Sequence, residues 1–231
     1  MKEYINLPYG RSTIRLEIPA TSCEILSSRI KELNSEREGK EIVGDAMRNP
    51  IGGLVLKEIS KGKRKATIII SDHTRPVPSK DILPHMLAEM RQGNPNMEIT
   101  LLVATGSHRG TTLSELEEKL GKDIVLTEQI VVHDWILSEC IDMGTLPSGA
   151  KLYVNKIAVE TDLLVAEGFI EPHFFAGYSG GRKSVLPGVC SEKTVLENHC
   201  SAFIDSPYAR TGILDMNPIH EDMIDAVRRV N

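Results

Sequence analysis

The chain has 231 residues, 41 % of them hydrophobic and 26 % charged, which is enough apolar material to bury a substantial core. Its 27 Lys and Arg against 32 Asp and Glu leave a formal net charge of −5, without the basic footprint of a nucleic-acid binder. No apolar run approaches the roughly 20 residues that span a bilayer, the start MKEYINLPYG lacks the apolar segment of a signal peptide, and four dispersed cysteines form no C-x-x-C pair, so a cytoplasmic protein with reduced thiols is expected.

In chain order, YINLPYGRSTIRLEIP reads as a hairpin turning at Tyr9-Gly10. KATIIIS (65–71) is a short, almost wholly apolar run, the mark of a strand covered on both faces. A helix capped by Asp81 then carries Pro84 in its first turn and an apolar stripe at Leu83, Met86, Leu87 and Met90. EITLLVA (98–104) is a second buried strand. TLSELEEKLG (112–121) is a second helix, with a capping box of Thr112 and Glu115, a stripe of Leu113, Leu116 and Leu120, and a stop at Gly121. DLLVAEG (162–168) is a third strand, SEKTVLENH a helix capped by Ser191, and NPIHEDMIDAVRRVN a terminal helix capped by Asn217 with Pro218 at its first position. Strands alternating with helices define an α/β fold, a mostly parallel, Rossmann-like sheet flanked by helices, with the hairpin in front.

Each strand runs into a segment rich in polar chemistry: SDHTRPVPS (71–79), TGSHRGTT (105–112) and FIEPHFFAGYSGGRKS (169–184). In parallel α/β sheets ligands bind beyond the carboxyl ends of the strands. His73, Arg75, His108, Arg109, His173, Arg182 and Lys183 are therefore all delivered toward one edge, while His85, His133 and His220 lie in segments that suit structural histidines. The glycine-rich loop nearly matches a P-loop at Gly177, Lys183 and Ser184, but Arg182 stands where the second glycine should be, which argues against a nucleoside triphosphatase. Cys190, His199 and Cys200 match no common zinc spacing.

SDHTRPVPS, ATGSHRGTT, GFIEPHFFAGYSGGRKSVLPG and ENH, in this order and spacing, resemble the N-terminal half of nickel-dependent lactate racemase and its 2-hydroxyacid racemase relatives. The resemblance implies a nickel-pincer nucleotide, a modified pyridinium mononucleotide joined to a lysine through a thioamide. It matches Lys183 to the attachment lysine, His199 to the nickel ligand, His108 and His173 to the two acid/base histidines, and Asp72 and Arg75 to a loop beside cofactor and substrate. Gly177, Gly180 and Gly181 are expected to give the nucleotide open backbone, and Ser107, Thr111 and Thr112 to meet its phosphate. The implied reaction moves a hydride from the substrate Cα to the cofactor and back to the other face, while the histidines take and return the hydroxyl proton. Expected partners are a small 2-hydroxy acid, the cofactor-synthesis proteins and a C-terminal domain that closes over the site. Residues 1–231 would be the N-terminal, cofactor-bearing domain of such an enzyme, inactive when isolated. A non-catalytic module that binds a mononucleotide is the alternative.

Overall fold

The computed structural model describes residues 2–19, residue 24 and residues 36–230, and falls into two units, residues 1–38 and 39–231. In the first unit β1 (Lys2–Tyr9) and β2 (Ser12–Pro19) pair antiparallel from Lys2↔Pro19 to Tyr9↔Ser12. The turn is thus Gly10-Arg11, one residue later than the sequence suggests, and Gly10 takes the positive φ of 57° that a two-residue hairpin loop requires.

The second unit runs α1 (Gly39–Arg48), α2 (Leu56–Ile59), β3 (Lys65–Ser71), α3 (Ser79–Gly93), β4 (Glu98–Ala104), α4 (Leu113–Leu120), α5 (Lys122–Thr127) and β5 (Gln129–Val132). It continues with β6 (Cys140–Thr145), β7 (Lys151–Asn155), α6 (Lys156–Val159), β8 (Leu163–Ala166), β9 (Pro172–His173) and β10 (Gly177–Tyr178). A 3-10 turn (Gly181–Ser184), α7 (Glu192–Asn198), α8 (Ser201–Ile204) and α9 (Pro218–Val230) complete it.

The three strands expected from their apolar runs are three adjacent strands of a four-strand parallel sheet in the order β5-β4-β3-β8, with β4 and β3 central and β8 at one edge. β3 lies between β4, in register from Lys65↔Glu98 to Ser71↔Ala104, and β8, in register from Ala66↔Leu163 to Ile69↔Ala166. The two-residue period of a strand sorts the side chains. Ile68, Ile70, Leu101 and Val103 pack with Leu83, Leu87 and Met90 of α3 and with Leu116 and Leu120 of α4. Ile69 and Leu102 face the opposite layer, with Leu152, Leu186, Ile219 and Met223. Both faces are therefore covered, and each fully buried isoleucine contributes about 1.5–3 kcal/mol. Because the strands are parallel and in register, Ser71, Ala104 and Ala166 end at one edge.

Local details differ from the sequence reading where tertiary contacts compete. α3 begins at Ser79, two residues before Asp81, and Pro78 at its N-cap makes no side-chain capping bond. The Ser79 hydroxyl instead donates to Glu167 Oε1 at 2.6 Å. α4 has the expected capping box, though Leu113 is exposed and only Leu116 and Leu120 are buried. Ser191 occupies the N-cap of α7 without a side-chain bond, whereas Asn217 Oδ1 caps α9 by accepting from the N–H groups of Ile219 and His220. Cys140, Cys190 and Cys200 are free, and Cys23 lies outside the described residues. Among the described residues no helix is long and apolar enough to cross a membrane.

Candidate active site

The loops that leave β3, β4 and β8 surround a cavity of about 460 Å³ at the carboxyl edge of the sheet. Asp72, Arg75, Ser107, His108, His173, Gly180, Lys183 and His199 all line it. Eight of the residues expected from sequence are thus brought together from four separate segments.

Asp72 follows β3 directly and is almost completely buried. Its Oδ2 accepts from His108 Nδ1 at 2.6 Å, and its Oδ1 accepts from the Thr74 hydroxyl at 2.7 Å and the Thr74 N–H at 3.1 Å. A carboxylate can only accept, so the nitrogen of His108 that donates is Nδ1, and in the neutral imidazole the lone pair is on Nε2. His173, on the short β9, is held the other way. Its Nδ1 accepts from the Ala176 N–H at 3.3 Å, which leaves the proton on Nε2, 3.4 Å from Lys183 Nζ. The two imidazoles are therefore fixed in opposite tautomers.

Burial dominates the electrostatics of the inner wall. It lowers the pKa of His173 to about 4, with further help from the nearby charges of Lys183, His199, Arg75 and Arg182. His199 is also held to about 4, by burial and then by Lys183, and its Nδ1 is buried with no hydrogen-bond partner. Lys183 is lowered to about 8 by burial, then by Arg182 and Arg75. At neutral pH both histidines are neutral, and the lysine has an appreciable unprotonated fraction. Phe175 packs edge-on against both His173 and His199, at 4.5 and 5.3 Å between ring centroids.

The glycine-rich segment owes its glycines chiefly to its own folding. A Cβ on Gly177 would lie 2.4 Å from the Ile213 carbonyl oxygen, and one on Gly180 would lie 2.6 Å from that of Phe169, at φ of +78° and +74°. The space at these two positions is thus filled by protein backbone, contrary to the expectation that it is left open for a nucleotide. Gly181 alone of the three faces open space. Arg182 clamps the loop, because its Nη2 donates to the carbonyls of Ala176 at 2.7 Å and Tyr178 at 3.0 Å. That role explains an arginine where a P-loop would need glycine.

Thr111 and Thr112 do not line the cavity. The Thr111 hydroxyl meets His73 Nδ1 at 3.0 Å, and Thr112 is committed to the capping box of α4. Of the three hydroxyls expected to face a phosphate, only Ser107 borders the cavity. Arg109 turns away to pair with Glu115. His133 is structural, as expected: it is buried, with Nδ1 accepting from Asn155 Nδ2 and Nε2 donating to the Cys190 carbonyl, both at 3.0 Å. Sequence reasoning missed Glu167, a buried carboxyl in the cavity wall at the end of β8. A glutamate closing an apolar strand run was the available signal.

A parallel α/β sheet whose carboxyl edge opens on a crevice lined by buried imidazoles and a lysine of lowered pKa has the layout in which such sheets bind ligands. The chain belongs to the lactate racemase family, whose N-terminal domain model matches residues 9–212. It is similar to the lactate racemase of Thermoanaerobacterium thermosaccharolyticum, 53 % identical over 229 residues, which cover 98 % of this chain and 54 % of the relative. The lactate racemase of Lactiplantibacillus plantarum is 48 % identical over 226 residues, covering 97 % of this chain and 53 % of the relative. The chain therefore spans about half the length of these curated relatives. The solved apoprotein of the Thermoanaerobacterium enzyme superposes with a TM-score of 0.87 at 52 % identity, covering 99 % of this chain and 54 % of that one. A crystal structure from Thermotoga maritima, 22 % identical with a TM-score of 0.64, covers 83 % of this chain and 47 % of its own and shares the fold.

Proposed function

We propose that this chain is the cofactor-bearing half of a cytoplasmic racemase acting on lactate or a related 2-hydroxy acid, with a nickel-pincer nucleotide tethered to Lys183. The observation that carries the proposal is the convergence of Lys183, His173, His199 and His108 on one cavity, with Lys183 Nζ 3.4 Å from His173 Nε2. The residues fit such a group. An amine that ionises near pH 8 is a competent acyl acceptor, and a neutral, buried His199 with an unpartnered nitrogen suits a metal ligand. Among the described residues no three His, Cys, Asp or Glu side chains gather into a metal cage.

When bound, the group would supply a reversible hydride acceptor. The chain's own residues handle the protons and the substrate. His108, oriented by Asp72 through Nδ1, is set to take a hydroxyl proton on Nε2 and, once protonated, to return it, and His173, kept neutral by burial, is the second acid/base histidine of the cavity. The two antipodes present their hydroxyls in different directions, so two histidines are needed, each taking the hydroxyl proton of one antipode as base and returning it as acid. Arg75 is the candidate clamp for the substrate carboxylate, through the planar donor fork that suits that group. The cofactor-synthesis proteins and a C-terminal domain, which would close over the cavity, are the proposed partners.

The test is mass spectrometry after coexpression with the cofactor-making proteins. The wild-type chain should gain a nucleotide adduct that maps to Lys183, and Lys183→Ala should fold but gain none. His199→Ala should lower nickel per adduct. An adduct on Lys193 or Lys156 overturns the assignment.

A further inference from the structure

Among the residues that line the cavity, Glu167 and Ser71 each keep a buried polar atom without a partner. Glu167 is 5 % exposed, and its Oε2 makes no hydrogen bond. Its other oxygen, Oε1, accepts from Ser79. The Ser71 hydroxyl oxygen is also buried and unpartnered. Both residues line the cavity from the ends of adjacent strands. The Glu167 N–H continues the ladder to the Ile69 carbonyl at 3.0 Å, and the Ser71 N–H faces the Glu167 carboxyl. A buried polar atom left unsatisfied costs about 1–3 kcal/mol. Two such atoms on residues that line one cavity mark a place where a ligand completes the hydrogen bonding.

We propose that the Glu167 carboxyl and the Ser71 hydroxyl form a subsite that binds a ribose hydroxyl of the pyridinium nucleotide. The inference rests on the nucleotide reading of the cavity. A hydroxyl donates to the free carboxyl oxygen and accepts from the serine at once, which neither a phosphate nor a pyridinium ring can do. A phosphate would also be repelled by the acidic group, whereas Arg75 and Lys183 offer anions a better wall of the same cavity. An acidic side chain at a strand end that takes a ribose hydroxyl is the general solution of doubly wound sheets.

Titration calorimetry with nicotinic acid mononucleotide tests this on the chain purified without cofactor, beside its 2′-deoxy and 3′-deoxy analogues. The wild type should bind the mononucleotide, and Glu167→Gln, which keeps the size and the Ser79 contact, should bind it roughly tenfold more weakly or worse. One deoxy analogue should bind the wild type as weakly, and against that analogue Glu167→Gln should cost nothing further. Ser71→Ala, run through the same cycle, gives the same answer should the glutamine variant fail to fold. Equal affinity of wild type and variants, or losses that simply add for both deoxy analogues, overturns the ribose subsite while leaving the nucleotide cavity standing. Absence of any binding to the wild type removes the nucleotide reading itself, and the subsite with it.

Discussion

At the scale of single residues, the cavity shows how surroundings rather than residue type assign a chemical role. His108 and His173 are the same side chain, yet a buried carboxylate holds one in the Nδ1–H form and a backbone N–H holds the other in the Nε2–H form. Lys183 is altered more by its burial than by any neighbour, and its ammonium form is disfavoured down to about pH 8. A dilute amine-acetylating reagent should therefore modify Lys183 with a half-maximal rate near pH 8, ahead of exposed lysines, which ionise near 10.4. Peptide mapping across a pH series measures this. A Lys183 that labels only with the surface lysines would show that its environment does not favour the neutral amine.

At the scale of elements, the glycine-rich segment makes a graded prediction. Gly177→Ala and Gly180→Ala each place a methyl against a carbonyl oxygen at positive φ, and each should cost about 3 kcal/mol or more in urea-unfolding stability. Gly181→Ala meets open space at φ +51° and should cost about 1–2 kcal/mol, the backbone term alone. The reverse order would mean that the segment is not held by the backbone contacts with Ile213 and Phe169. The same elements show what can be read from sequence. The parallel strands were legible because continuous apolar runs have few other uses, and the loops because polar residues cluster after them. β6 was not, since its CIDMGT has no clean alternation and is only half-buried. The true start of α3 was hidden because Ser79 bonds a glutamate 88 residues away. The Asp72–His108 pair joins positions 36 residues apart, so each residue could be nominated but the pair could not.

At the scale of the whole molecule, the cavity taxes the fold in acid. His173 and His199 titrate near 4 in the folded chain and near 6.5 when unfolded. Between those values the unfolded state binds more protons, so stability should be complete above about pH 6.5 and fall as the pH drops toward 4. His133 and His220, lowered chiefly by burial, act in the same direction, while Glu167, raised by burial, opposes them. Urea titrations across this range should show the decline, and His199→Leu should flatten it by about one proton; an unchanged slope would place His199 in contact with water. The sheet carries a further consequence. Asp162, just before β8, accepts the N–H of Arg64, 98 residues earlier, and the last cavity residue, His199, comes later still. A nascent chain on the ribosome has Lys183 in hand before it has the fold that buries the lysine. The burial that, with Arg182 and Arg75, lowers this amine's pKa exists only in the folded chain, so any enzyme that depends on it to load the lysine would have to act after folding.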